Sequence, residues 1–242
     1  MRTVIFFCLL ALAACSQGPD RKGQDETFPV LRVQGTKDFE VTGAGDHAAW
    51  GNAVWTPLRK RQAEGHPYEN RFKVLYSKMG LYTLMEGTDR KLTTTLKDDF
   101  LDLWTEDVYE AFFWPDESTP LYFEYEISPM NFELPILVPN AGETFMGWRP
   151  WRYAGGRKIR KATSAIGGPK ESGAAVQGWR AEFFIPYVVL KPLKNSPPGP
   201  GTRWRANFYR MDHDDGRTTQ WDWAPVGPSF HEYRKFGILL FE

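Results

Sequence analysis

The chain has 242 residues, with 30 Lys+Arg against 30 Asp+Glu, and it is 42% hydrophobic and 15% aromatic. Balanced charge with no basic stripe argues against a nucleic-acid binder, whose affinity comes largely from cations neutralising phosphates. The 10 Trp, 10 Tyr and 17 Phe, punctuated by 22 Gly and 18 Pro, exclude a disordered or coiled-coil chain and suit packed strands and turns.

Arg2 precedes an apolar run from Val4 to Ala14. That run is too short for a bilayer core, which takes ~20 residues, and reads as a secretory signal over residues 1–14. Leu12-Ala13-Ala14-Cys15 resembles the lipobox of bacterial lipoproteins. The resemblance implies cleavage before Cys15 and lipid attachment to it, hence a membrane anchor. Ser16 in place of an inner-membrane-retaining Asp implies, by analogy, the outer membrane of the cell envelope. Cleavage would also remove Cys8, so the mature chain would form no internal disulfide and must rely on core burial. Residues 15–27 (CSQGPDRKGQDET) then read as the lipidated cysteine and a flexible tether, leaving 28–242 as one domain.

From Phe28 onward the apolar pattern repeatedly has period two, the mark of strands with one buried face. TPLRKRQAEG at 56–65 suggests one or two helical turns. Phe72, Val74 and Tyr76 share a face, KMG turns the chain, and Leu81, Thr83 and Met85 continue, which predicts a hairpin. Val108, Glu110, Phe112 and Trp114 alternate with Tyr109, Ala111 and Phe113. After the turn PDESTP, Leu121, Phe123, Tyr125 and Ile127 align in a second hairpin. Residues from about Pro139 to Gly178 read as one long irregular stretch. GWRAEFFIP and RWRANFYR alternate again, YVVLKPL after Pro186 suggests a short helix, and FGILLFE suits a covered last strand. Many short strands with few helices predict an all-β, antiparallel β-sandwich with long loops.

Signatures of catalysis are scarce. His47, His66, His213 and His231 form no His-Glu-x-x-His, Gly-x-Ser-x-Gly is missing, and the glycine-rich YAGGRK and IGGPK lack phosphate-loop spacing. Asp212 to Gly216 looks like a calcium loop, but its Gly is fifth and no distal Glu follows, so an Asp-Gly hairpin turn fits better. Among the carboxylates Asp98, Asp99, Glu106, Asp107, Glu110, Glu124 and Glu126, Glu110 stands out because it shares the face of Val108 and Phe112. A carboxylate among apolar neighbours needs a bonding partner or a ligand. Trp104, Trp148, Trp151, Trp221 and Trp223 sit beside charged or amide groups and turn residues, the setting in which indole faces stack on sugar rings.

The blocks GAGDHAAWGNAVW, FKVLYSKMGLYTLMEG, DLWTEDVYEAFFWPDE, YFEYEISP, GWRAEFFIPY, RWRANFYR and WAPV run in order from about Asp46 to Glu242. In them the chain resembles the family 9 carbohydrate-binding modules (CBM9) and their lipoprotein relatives. The resemblance implies a DOMON-like β-sandwich that holds sugar chain ends between two tryptophans. A W-x-x-D-x-x-E pattern falls on Trp104, Asp107 and Glu110, with Glu110 bonding sugar hydroxyls. A W-x-P pattern falls on Trp223, with Gln220 as a hydroxyl partner and Trp221 as a competitor for the second clamp. Structural calcium is common in the family, although no ligand set stands out here. The implied function is non-catalytic capture of a xylan-, cellulose- or other glycan-derived sugar in support of exported glycosidases. The competing reading is a glycoside hydrolase using Glu110 with Glu124 or Asp107.

Overall fold

The computed structural model describes residues 28–242, so the signal, Cys15 and the tether fall outside the described residues. Fourteen strands appear among them: β1 (Val30–Gly35), β2 (Thr56–Lys60), β3 (Asn70–Tyr76), β4 (Gly80–Thr88), β5 (Val108–Trp114), β6 (Leu121–Ile127), β7 (Glu133–Ala141), β8 (Thr144–Phe145), β9 (Arg149–Pro150), β10 (Arg160–Ile166), β11 (Gly178–Pro186), β12 (Arg203–Asp212), β13 (Thr219–Asp222) and β14 (Gly237–Phe241). Helical structure among the described residues is limited to short 3-10 turns, so the domain is all-β as expected.

One sheet runs β10-β11-β4-β3 and the other β14-β12-β5-β6-β7. Both expected hairpins form, with Tyr76 opposite Leu81 and Phe113 opposite Phe123. The second is fixed at its turn by the Asp116 carboxylate, which accepts from the Ser118 amide at 3.0 Å. Two strands pass from sheet to sheet. β1 pairs with β14 from Val30 to Val33 and then with β3 through Gln34 and Gly35, parallel in both cases. This departs from an entirely antiparallel arrangement. β2 pairs with β3 through Thr56–Leu58 and with β13 through Arg59 and Lys60. Strands that switch sheets close the open edges of a sandwich and tie its halves together.

The period-two pattern explains the core. Phe72, Val74 and Tyr76 of β3 and Leu81 and Met85 of β4 meet Tyr109, Ala111 and Phe113 of β5, joined by Phe123, Tyr125 and Ile127 of β6. Trp179, Phe183 and Trp204 fill the ends of this layer. Burying each large apolar side chain contributes roughly 1.5–3 kcal/mol, which is how such a layer can hold the domain by packing alone. The opposite face of the β12-β5-β6-β7 sheet is also covered. There Val108, Phe112, Tyr122, Leu134, Ile136 and Tyr209 pack under Tyr233 and Phe236 from the C-terminal segment. Alternation therefore puts Glu110, Glu124 and Glu126 on a second covered face.

Three local expectations are corrected. Residues 56–60 form β2 rather than helix, because the segment has one apolar residue, Leu58, and it is used to join the two sheets. The stretch 139–178 contains β8, β9 and the seven-residue β10, which pairs with β11 along its whole length. β10 is an edge strand with Thr163 as its only buried residue, and edge strands lack the alternating apolar signature. After Pro186 there is a single 3-10 turn, Tyr187–Val189. Asp212–Gly216 does turn β12 into β13, with Asp215 (φ 54°) and Gly216 (φ 68°) both left-handed.

Candidate functional site

A cavity of about 330 Å³ opens on the outer face of the β12-β5-β6-β7 sheet, at the small end of the ~300–1,000 Å³ typical of small-molecule sites. Its floor is Glu110 and Phe112 of β5, Glu124 and Glu126 of β6, and Met211 of β12. Trp104, on the 3-10 turn before β5, and Trp148, between β8 and β9, form an aromatic corner, their rings 5.9 Å apart and inclined at 76°. Phe230 and His231 reach in from the segment between β13 and β14. Phe230 stacks on Tyr209 at 4.1 Å and His231 on Phe145 at 4.1 Å, so neighbouring rings hold both in place. Larger grooves of about 860 and 740 Å³ exist elsewhere. Within them Glu86 is paired with Arg71 and Arg180, and Lys161 with Asp99.

The floor is unusual in its chemistry. Glu110 lies opposite Glu126 across the β5–β6 ladder, and Phe112 lies opposite Glu124. The three carboxyls are 2%, 3% and 1% exposed for Glu110, Glu124 and Glu126. Buried carboxylates elsewhere in the domain are bonded: Glu182 accepts from the amides of Thr42 and Gly43 at 3.0 and 2.8 Å and from Trp50 Nε1 at 2.8 Å. On the cavity floor, Oε2 of Glu124 and Oε2 of Glu126 have no hydrogen-bond partner among the described residues. Glu124 and Glu126 can hydrogen-bond to each other only when one of them carries a proton.

Burial pushes the Glu110 carboxyl up to about 8, with the Arg61 guanidinium opposing more weakly. Burial and then the charge of Glu110 hold Glu124 and Glu126 well above the usual carboxylate range. Burial also pushes His231 down to about 4, so its 3.8 Å approach to Glu124 is that of a neutral ring rather than an ion pair. The Tyr122 hydroxyl and His231 Nδ1 lie 2.6 Å apart, and the neutral ring keeps one nitrogen as donor and the other as acceptor.

Of the residues expected from sequence, Trp104, Glu110 and Gln220 meet in this cavity. Asp107 and Trp223 are not among its lining residues. Asp107 is buried and accepts the Thr93 amide at 2.7 Å and the His213 amide at 3.0 Å. The His213 ring in turn sits 3.1 Å from the Trp104 carbonyl. Asp107 is thus a positioning residue that ties the Trp104 turn to the β12–β13 turn. The second-clamp assignment is corrected: Trp223 is 6% exposed and packs between the sheets against Phe72 and Phe208. Trp221 is buried in the same layer. Strand parity gives the reason. Gln220 faces the cavity beside its ladder partner Met211, so residues 221 and 223 must point to the other side. The second indole of the site is Trp148, marked in the sequence only as a tryptophan in polar surroundings. Phe230 and His231 carried no local signal.

Among the described residues, neither cluster of acidic groups offers calcium a free ligand set. Two acidic groups have ligand atoms within 4.8 Å of one another: Asp89, Asp107 and Asp212, and His66, Asp212 and Asp214. In the first, the buried Arg210 guanidinium bonds Asp89 and Asp212 at 2.8 Å each, and Asp107 is engaged by amides. In the second, Tyr68 and Thr93 donate to the two oxygens of Asp214 at 2.6 and 3.1 Å. Calcium needs six to eight free oxygen ligands, whereas here Arg210 already supplies the cation.

No protein-family model matches the chain, and no curated protein matches it significantly by sequence. Solved structures do match in fold. A Bacteroides uniformis protein described as carbohydrate-binding superposes with a TM-score of 0.68 at 16% identity, covering 89% of this chain and 100% of the other. A CBM9 module of Caldicellulosiruptor kristjanssonii solved with cellotriose gives a TM-score of 0.63 at 16% identity, covering 88% and 93%. The module from the same organism solved with glucose gives 0.63 at 15% identity, covering 88% and 95%. By fold, residues 28–242 form a CBM9-like β-sandwich.

Proposed function

We propose that this protein binds carbohydrate without cleaving it, in the cavity at Trp104, Trp148 and Glu110. The observation that carries the proposal is the pairing of an aromatic corner with buried, partnerless carboxyl oxygens in one small cavity. Indole faces take the apolar C–H face of a sugar ring, and carboxyls, Gln220 and the His231 ring take its hydroxyls. The shared fold with a module solved with glucose and with cellotriose supports the same reading. We place the protein at the cell envelope, lipid-anchored through Cys15, where it would hold glycan fragments near exported glycosidases.

Affinity electrophoresis of the full chain through gels containing xylan, cellulose derivatives or other glycans tests the binding. Retardation by at least one glycan, lost in Trp104→Ala, is expected. Equal mobility of both proteins in every gel would remove this cavity as the site. For the anchor, Cys15→Ser should move the protein from the membrane to the soluble fraction.

A further inference from the structure

Resting on the carbohydrate reading, we infer that the preferred sugar carries a protonated amine, with the ammonium seated among Glu110, Glu124 and Glu126. A neutral sugar asks for a few donors and acceptors. This floor instead gathers three acidic side chains, and no salt bridge from a Lys or Arg reaches them among the described residues. Arg61, the guanidinium that acts on Glu110, pairs with Asp222 at 3.3 Å and also bonds the Gly227 carbonyl. The other groups around the trio are Tyr122 of β6, Tyr209 of β12, the neutral His231, and Asp102 beyond Glu126. None of these adds a positive charge.

Two independent features point to an ammonium. Oε2 of Glu124 and Oε2 of Glu126 are buried without partners, and an ammonium brings three donors. The aromatic rings of Trp104, Trp148 and Phe230 line the same cavity, and aromatic faces attract ammonium groups.

The test is calorimetric titration of the full-length chain in mild detergent with three trisaccharides: β-1,4-linked glucosamine, its N-acetylated form, and cellotriose. At about pH 6.5 the amine is charged, and the glucosamine form should bind at least about tenfold tighter than either neutral sugar. In Glu124→Gln/Glu126→Gln the preference should fall to within about threefold. Lowering the pH to about 5 should weaken glucosamine binding more than cellotriose binding, because seating the ammonium requires carboxyls to release protons that burial holds on them. Cellotriose binding as tightly as glucosamine, or a preference that survives the double substitution, would overturn the inference. The carbohydrate site itself would still stand if Trp104→Ala abolished cellotriose binding. Failure of all three sugars to bind would overturn both.

Discussion

Replacing Trp223 and Trp104 by alanine separates a core tryptophan from a site tryptophan. Trp223 packs edge-on against Phe72 at 5.6 Å and tilted on Phe208 at 5.9 Å. Its ring also fills the space above Gly237, where an added Cβ would come within 2.6 Å of it. Truncating a buried Trp removes its transfer free energy and leaves a cavity, at a cost of about 3–5 kcal/mol. That is a large part of the ~5–15 kcal/mol holding a typical domain. With a urea dependence of about 2–3 kcal/mol/M, the midpoint of unfolding should fall by roughly 1–2 M. Trp104 is only half-buried at the rim of the cavity, so Trp104→Ala should shift stability by no more than about 1 kcal/mol. Urea unfolding followed by circular dichroism, run beside glycan retention, reads both effects. A Trp223→Ala protein that unfolds at the wild-type midpoint yet no longer binds sugar would refute the core placement and restore Trp223 as a ligand platform.

Stability should also depend on pH through the cavity floor. The folded state holds Glu110 up to about 8 and Glu124 and Glu126 well above the ordinary range. Their contribution is therefore fully present below about pH 4.5 and lost as pH rises towards 8. Thermal melts from acid to mildly alkaline pH should show Glu110→Gln gaining on the wild type as pH rises, and a constant difference would contradict the placement. Arg210→Met should be strongly destabilising, by about 3–5 kcal/mol, because it leaves Asp89 and Asp212 buried without their cation. Full recovery of that variant's melting temperature on adding calcium, or wild-type stability without it, would contradict Arg210 as the resident cation.

Much of the fold was legible because strand parity is local. Phe72/Val74/Tyr76 and Leu81/Met85 reached the inner layer as their spacing required, as did Phe123/Tyr125/Ile127. Glu110 was legible for the same reason, as a carboxyl sharing a face with Val108 and Phe112. Glu124 and Glu126 were harder to read, since polar residues alternating with Phe123 and Tyr125 ordinarily face water. They are buried because segments far along the chain, Trp148 and Phe230–His231, cover that face, and no local pattern encodes such coverage. The site tryptophans divide the same way. Trp104 sits three residues before the clasp at Asp107 and six before Glu110. A short W-x-P pattern points to Trp223, although its odd spacing from Gln220 puts the two on opposite faces of an extended segment. The edge strand β10 was missed because a strand paired on one side needs little apolar content.

The most direct test of the account is a crystal structure of the full domain with a bound oligosaccharide. The account predicts a sugar ring against the Trp104–Trp148 corner, with its polar groups within hydrogen-bond reach of Glu110 and Gln220 and Trp223 still packed on Phe72. A sugar bound elsewhere with this cavity empty, or a displaced Trp223 stacking on the ring, would contradict it.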